Sequence, residues 1–159
     1  MVLGQESLSG LAIRRSKPSE ATALTELAHN AKRYWDYPAH YVGLWANDLT
    51  FDPDFITNNL VYTAVYEGTI VGVYAIVGEG PVRQLEHFWV HPQNIGQGIG
   101  RQMFYHAVTN VRRIGARALE IVSDPNAEGF YLRMGAKRAG EEHSRPPGRT
   151  LPRLVLHVR

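Results

Sequence analysis

Three glycines on alternate residues, Gly96, Gly98 and Gly100, stand just before a run with apolar residues at helical spacing: Ile99, Met103, Phe104, Ala107, Val108 and Val111. Glycine lets a backbone approach a ligand closely, and a helix start offers unpaired N–H groups at the positive end of its dipole. That pairing suits an anion, phosphate above all. Upstream, Glu86 places a carboxylate among strand apolars, a costly position unless the charge is paired or used. Its neighbour His87 brings an imidazole whose ordinary pKa of about 6.5 suits base work. Downstream, Tyr131 carries a phenol that its ordinary pKa of about 10 keeps protonated at neutral pH, so it can give a proton to a leaving group.

Other chemistries are excluded. The chain has no cysteine, which removes thiol nucleophiles, zinc–thiolate sites and disulfides. His87 and His91 do not make a metal pair, because four residues along a strand span about 13 Å while metal–nitrogen bonds are about 2 Å. The remaining histidines, His29, His40, His106, His143 and His157, have no ligand spacing. A net charge of +2 over 159 residues is too weak to argue for nucleic acid. Nor does any apolar stretch reach membrane-spanning length, and no secretory signal opens the chain, so cytoplasm is the default location.

The elements that must position these groups follow from the pattern. A first strand is expected over 11–15, then a helix opening at Pro18 with Ala23, Leu24, Leu27, Ala28 and Ala31 as its apolar stripe. A second helix starts near Pro38 within an aromatic cluster of Tyr34, Trp35, Tyr37, Tyr41 and Trp45, and Asp52-Pro53-Asp54 marks a turn or short helix start. Strands over 60–66 and 69–77 flank the tight turn Glu67-Gly68. Next comes the motif strand, which stops at Pro92. Simple alternation there puts Gln84, Glu86, Phe88 and Val90 on one face, with Leu85, His87, Trp89 and His91 on the other. After the glycine-led helix, closed by Gly115, come a strand over 118–122, a short helix over 127–134 closed by Gly135, and two final strands. The order β-α-α-β-β-β-α-β-α-β-β describes a mixed α/β fold.

Gln93-x-x-Gly96-x-Gly98, following Val90-His91-Pro92, resembles the acyl-CoA pyrophosphate loop of the GNAT superfamily of N-acetyltransferases. Asn126-Ala127-Glu128-Gly129-Phe130-Tyr131-Leu132-Arg133-Met134-Gly135-Ala136 resembles that superfamily's second signature. With the element order, the resemblance covers nearly the whole chain and is strongest over 85–135. It departs at Ile95, where many members carry a basic residue.

The resemblance implies a mostly antiparallel seven-stranded sheet flanked by about four helices, as one domain over 11–159 behind a flexible tail over 1–10. It implies acetyl-CoA as donor, no metal, and a small-molecule or peptide amine as acceptor, with a homodimer as the family's assembly. The donor would be held by the loop, Gln93, Ile95, Gly96, Gln97, Gly98, Ile99, Gly100 and Arg101, mainly through backbone amides. Trp89 and Val90 would offer N–H groups to the acetyl oxygen where the strand splays from its neighbour, and Asn126 would reach the pantetheine arm. Glu86 would be the general base, directly or through a water, with His87 its competitor on the opposite face. Tyr131 would be the general acid for the CoA thiolate. Tyr34, Trp35 and Tyr37 fall where members bind acceptors, although core packing is the simpler role for most of the aromatic cluster. Arg145, Arg149, Glu141 and Glu142 border the last loop and are expected at the solvated surface. Two other classes fit the loop: a non-catalytic acyl-CoA-binding or regulatory module, and a nucleotide-binding oxidoreductase, against which the antiparallel strands argue.

Overall fold

The computed structural model describes residues 8–158. Seven strands form one sheet in the order β1-β2-β3-β4-β5-β7-β6, with β1 Leu11–Arg15, β2 Leu60–Tyr66, β3 Thr69–Val77, β4 Val82–Val90, β5 Ala118–Val122, β6 Lys137–His143 and β7 Thr150–His157. All neighbours are antiparallel except β4 and β5. The helices are α1 Ala21–Arg33, α2 Ala39–Leu44, α3 Pro53–Asn58, α4 Ile99–Arg113 and α5 Glu128–Arg133. Five helices flank the sheet where about four were expected, the additional one being α3, which realises the short helix start at Asp52-Pro53-Asp54: Asp52 accepts the Phe55 N–H as its N-cap. Of the tail expected over 1–10, residues 1–7 lie outside the described residues, whereas Leu8 packs against the core.

Central β3 is buried from Val71 to Ile76, so helices must cover both faces. On one face α4 lays Met103, Phe104, Ala107 and Val111 against Tyr74, Ile76 and Leu85. Its seat is close: a Cβ on Gly72 would stand 2.5 Å from the Met103 sulfur and 3.2 Å from the Trp89 carbonyl, so a side chain there would push Met103 out of its place. The buried Tyr74 hydroxyl also accepts from Asn110 at 2.6 Å and meets His106 Nδ1 at 2.7 Å, which fixes the helix register. On the other face α1, α2 and α3 bury Leu24, Leu27, Trp45 and Ile56 with Val61, Val73 and Ala75.

Two irregularities in β4 shape everything functional. Against β3, Ala75 pairs with His87 and Ile76 with Leu85, so Glu86 is an extra residue, a β-bulge. Against β5, pairing runs only from Val82↔Ala118 to Gln84↔Glu120 and then stops. Beyond that point the two parallel strands part and the sheet is split at its centre.

The bulge overturns the alternation expected for β4. Leu85 packs in the α4-side cluster together with Phe88 and Val90. His87 stacks on Phe51 and Phe55, in the α1–α3 layer that also takes Trp89. One inserted residue switches the parity, so Leu85 and His87 point to opposite faces.

Candidate active site

The parted strands open a cleft of about 850 Å³ that passes from one helical layer to the other. One lip is β4 from Leu85 to Val90 and the other is the end of β5 with Ser123 and Asp124. The glycine loop closes it on the α4 face, and the C-terminal end of α1 closes it on the opposite face. Eight large apolar residues are exposed among those described, and five of them, Tyr34, Trp35, Ile95, Tyr105 and Val122, line this cleft. Such clustering marks a surface that a ligand covers.

The loop reaches the cleft because its backbone is left-handed at Gly96 (φ 88°) and Gly98 (φ 85°), conformations costly for any other residue. Gly98 is the N-cap of α4, and the first helical hydrogen bond runs from the Gln102 N–H to the Gly98 carbonyl. The N–H groups of Ile99, Gly100 and Arg101 therefore have no helix partner. Ile95 gives its N–H to the Pro92 carbonyl, and Asn94 donates to the Gln97 side chain at 3.1 Å, so the loop is internally braced.

Glu86 stands at the bulge on the cleft wall, with its side chain open to solvent. Crowding by the surrounding protein, reinforced by the Asp48 carboxylate, pushes its pKa up. A base with a raised pKa holds a proton more firmly, which suits proton abstraction nearer neutral pH. His87 has no access to the cleft: burial lowers its pKa to about 4, and its Nδ1 accepts the Trp89 indole N–H at 2.9 Å. Tyr131 lies across the cleft in an aromatic box, with Phe88 and Phe130 rings 5.9 and 5.3 Å away. Burial, with the Asp124 carboxylate adding to it, pushes its phenol pKa well up, so it stays protonated at any working pH.

Behind the β5 lip lies a buried charge cluster. Lys32 Nζ meets Asp124 Oδ2 at 2.6 Å, with both side chains 9% exposed. Tyr37 donates to Asp124 at 3.0 Å, and the Asn126 amide donates to Asp124 and to the Tyr37 hydroxyl. Arg149 donates to the Tyr37 hydroxyl at 3.2 Å, and both cations lie over the Tyr37 and Trp45 rings. Burial pushes the Asp124 carboxyl up, but Lys32, the Asn126 N–H and Tyr37 outweigh it and hold the pKa below the usual range.

This mixed, mostly antiparallel seven-stranded open sheet is shared with known proteins. The model of the acetyltransferase (GNAT) domain fits residues 49–146, well over half of the chain. The chain belongs to the GNAT family. It is an acyltransferase of the N-acetyltransferase kind, and the oxidoreductase alternative falls away. No curated protein matches the sequence. Among solved structures, a GCN5-related N-acetyltransferase from Rhodopseudomonas palustris superposes with a TM-score of 0.80 at 19% identity, covering 98% of this chain and 100% of that one. The PaiA N-acetyltransferase of Thermoplasma acidophilum, in complex with coenzyme A, gives 0.77 at 15% identity over 92% and 98% of the two chains. A GNAT acetyltransferase from Brucella melitensis, in complex with acetyl-CoA, gives 0.63 at 22% over 89% and 94%. At these identities the likeness is one of fold.

Set in the GNAT fold, the residues singled out by sequence divide. Glu86, Trp89, Val90, Ile95, Gly96, Gly98, Gly100, Arg101, Asn126 and Tyr131 all border the cleft, as do Tyr34 and Trp35. Gln93 and Gln97 do not border it, and the Ile99 side chain is in the core. Tyr37 stands behind the lip in the charge cluster, and Trp45 is core, while Tyr41 packs against it. Arg145 is exposed and paired with Asp48 at 2.7 Å, but Arg149 departs from the expected solvated surface because Tyr37 and Trp45 enclose it. Sequence reading missed Asp124 and Arg133. The local signal for Asp124 was its place two residues before Asn126, where its carboxylate accepts the Asn126 N–H.

Proposed function

We propose that this protein transfers the acetyl group of acetyl-CoA to a primary amine by direct attack. The observation that carries the reading is the split between β4 and β5, which joins an anion-holding loop on one face to a carboxylate with a raised pKa on the other. Two fold relatives were solved with coenzyme A or acetyl-CoA bound, which supports this donor. Pyrophosphate would sit on the amides from Gly96 to Arg101, with Asn126 bordering the pantetheine arm.

In the proposed step the amine nitrogen attacks the thioester carbon and its proton passes to Glu86, directly or through one water. The N–H of Val90, on the unpaired edge of β4, would take the developing charge on the acetyl oxygen, whereas the Trp89 N–H, like that of His91, is turned to β3. As the C–S bond breaks, Tyr131 protonates the departing sulfur. The test is thiol release from acetyl-CoA across an amine panel, with CoA binding measured separately. Glu86→Gln and Tyr131→Phe should each cut kcat by about 10²–10⁴-fold while CoA still binds. Full turnover in both variants would remove the roles proposed for these two residues.

A further inference from the structure

The acceptor itself is legible in the wall opposite the glycine loop. We infer that the amine accepted here is a small cationic amine carrying an aromatic or other apolar ring and no carboxylate; this rests on the acetyl-transfer reading above. A donor seated on the α4 N-terminus enters from the α4 face, so the acceptor meets it from the face built by α1, α2 and α3. That side offers two kinds of surface. One is the Tyr34–Trp35 pair at the end of α1, whose rings lie 4.9 Å apart edge to face and are 50% and 38% exposed. Trp89 adjoins the same cleft. Aromatic faces left this open are suited to burying a ring.

The other surface carries the Glu86 carboxylate. Among the described residues bordering the cleft, the charged ones are Glu86, Asp124, Arg101 and Arg133. Arg101 is in the first turn of α4 and Arg133 ends α5, so both cations stand on the donor face. Glu86 faces the acceptor with Asp48 close enough to raise its pKa. Of the cations on this side, Lys32 and Arg149 are held by Asp124, Tyr37 and the Trp45 ring and Arg145 by Asp48, while Arg33, exposed at the end of α1, donates to Asn30; none of the four borders the cleft. With Asp124 and Asp48 taken up in those pairs, a carboxylate next to the acceptor amine would meet the Glu86 carboxylate and no cation bordering the cleft on this face. An ammonium with a ring finds both of its partners.

Steady-state kinetics with 2-phenylethylamine, tryptamine, propylamine, spermidine and L-phenylalanine test this. The two arylalkylamines should exceed the other three by about tenfold or more in kcat/KM. Trp35→Ala should collapse the arylalkylamine-to-propylamine ratio towards one through KM, and Trp35→Phe, which keeps a ring, should restore it. Propylamine, spermidine or L-phenylalanine equalling the arylalkylamines would overturn the inference. So would a Trp35→Ala variant whose CoA affinity falls as far as its arylalkylamine affinity, because the aromatic pair would then serve the donor. Absence of turnover with every amine would defeat the acetyl-transfer reading instead. Calorimetry of 2-phenylethylamine with the CoA complex then decides the acceptor class: binding that Trp35→Ala abolishes supports it, and no binding overturns it.

Discussion

Glu86 shows how a single residue's position decides its chemistry. As a regular strand residue it would either face the core, where a carboxylate is too costly, or pair away from the cleft. As the extra residue of a bulge it sits on the cleft wall with a raised pKa. The sign of that shift has two consequences. Below the raised pKa the carboxyl is protonated and cannot accept a proton, so kcat/KM should fall on the acid side with an apparent pKa above the ordinary 4.5, and Glu86→Gln should flatten that limb. Because the folded state disfavours the charge, Glu86 costs stability above its folded pKa and the cost fades as pH falls through it. Glu86→Gln should therefore melt at or above the wild-type temperature at pH 7.5 while losing activity. A clear drop in melting temperature at that pH would show that the carboxylate is favourably paired instead.

At the scale of elements, the cleft exists because local sequence sets turns and long-range pairing sets the split. Helix spacing, Gly115 and Gly135 as helix ends, and the Glu67-Gly68 turn made the element order readable, and it stands nearly residue for residue. Two features were not readable for physical reasons. A bulge is a property of register against a partner strand, so alternation within β4 alone gave the wrong faces. The charge cluster joins Lys32 to Asp124 across 92 residues and Arg149 to Tyr37 across 112, and no local signal spans such distances. The glycine loop and the charge cluster each carry a test. Gly98→Ala, at φ 85°, should cost about 1–2 kcal/mol in urea unfolding and raise KM for acetyl-CoA. Asp124→Asn would leave the buried Lys32 without its counter-charge and should cost about 3–5 kcal/mol at neutral pH. Because the Asp124 pKa is depressed, its stabilisation is present above the ordinary carboxylate range and lost as pH falls through the folded value, so the difference from wild type should shrink in acid. An equal difference at all pH values would assign the loss to packing.

For the molecule as a whole, the proposed reaction puts the donor and acceptor routes on opposite faces of the split sheet, so that both substrates would be present at once. Helix α4 and its loop approach from one layer and α1 from the other, and only the gap beyond Gln84 joins them. The chain offers no thiol to hold an acetyl group between two half-reactions. A proposed direct attack through such a gap requires a ternary complex before any product leaves. Initial velocities measured at several fixed amine concentrations should then give intersecting double-reciprocal lines. Parallel lines, with isotope exchange between acetyl-CoA and CoA in the absence of amine, would instead mean a covalent acetyl-enzyme. In the proposed complex the donor would also support the fold, since it would fill the gap beyond Gln84 where β4 and β5 are not paired. Acetyl-CoA at 100 times its Kd should stabilise the protein by about 2.7 kcal/mol. Amide exchange should slow over 86–101 while the β1–β2 pair, distant from the gap, changes little. Equal slowing across β1 and β2 would show that the donor tightens the whole sheet rather than closing its split.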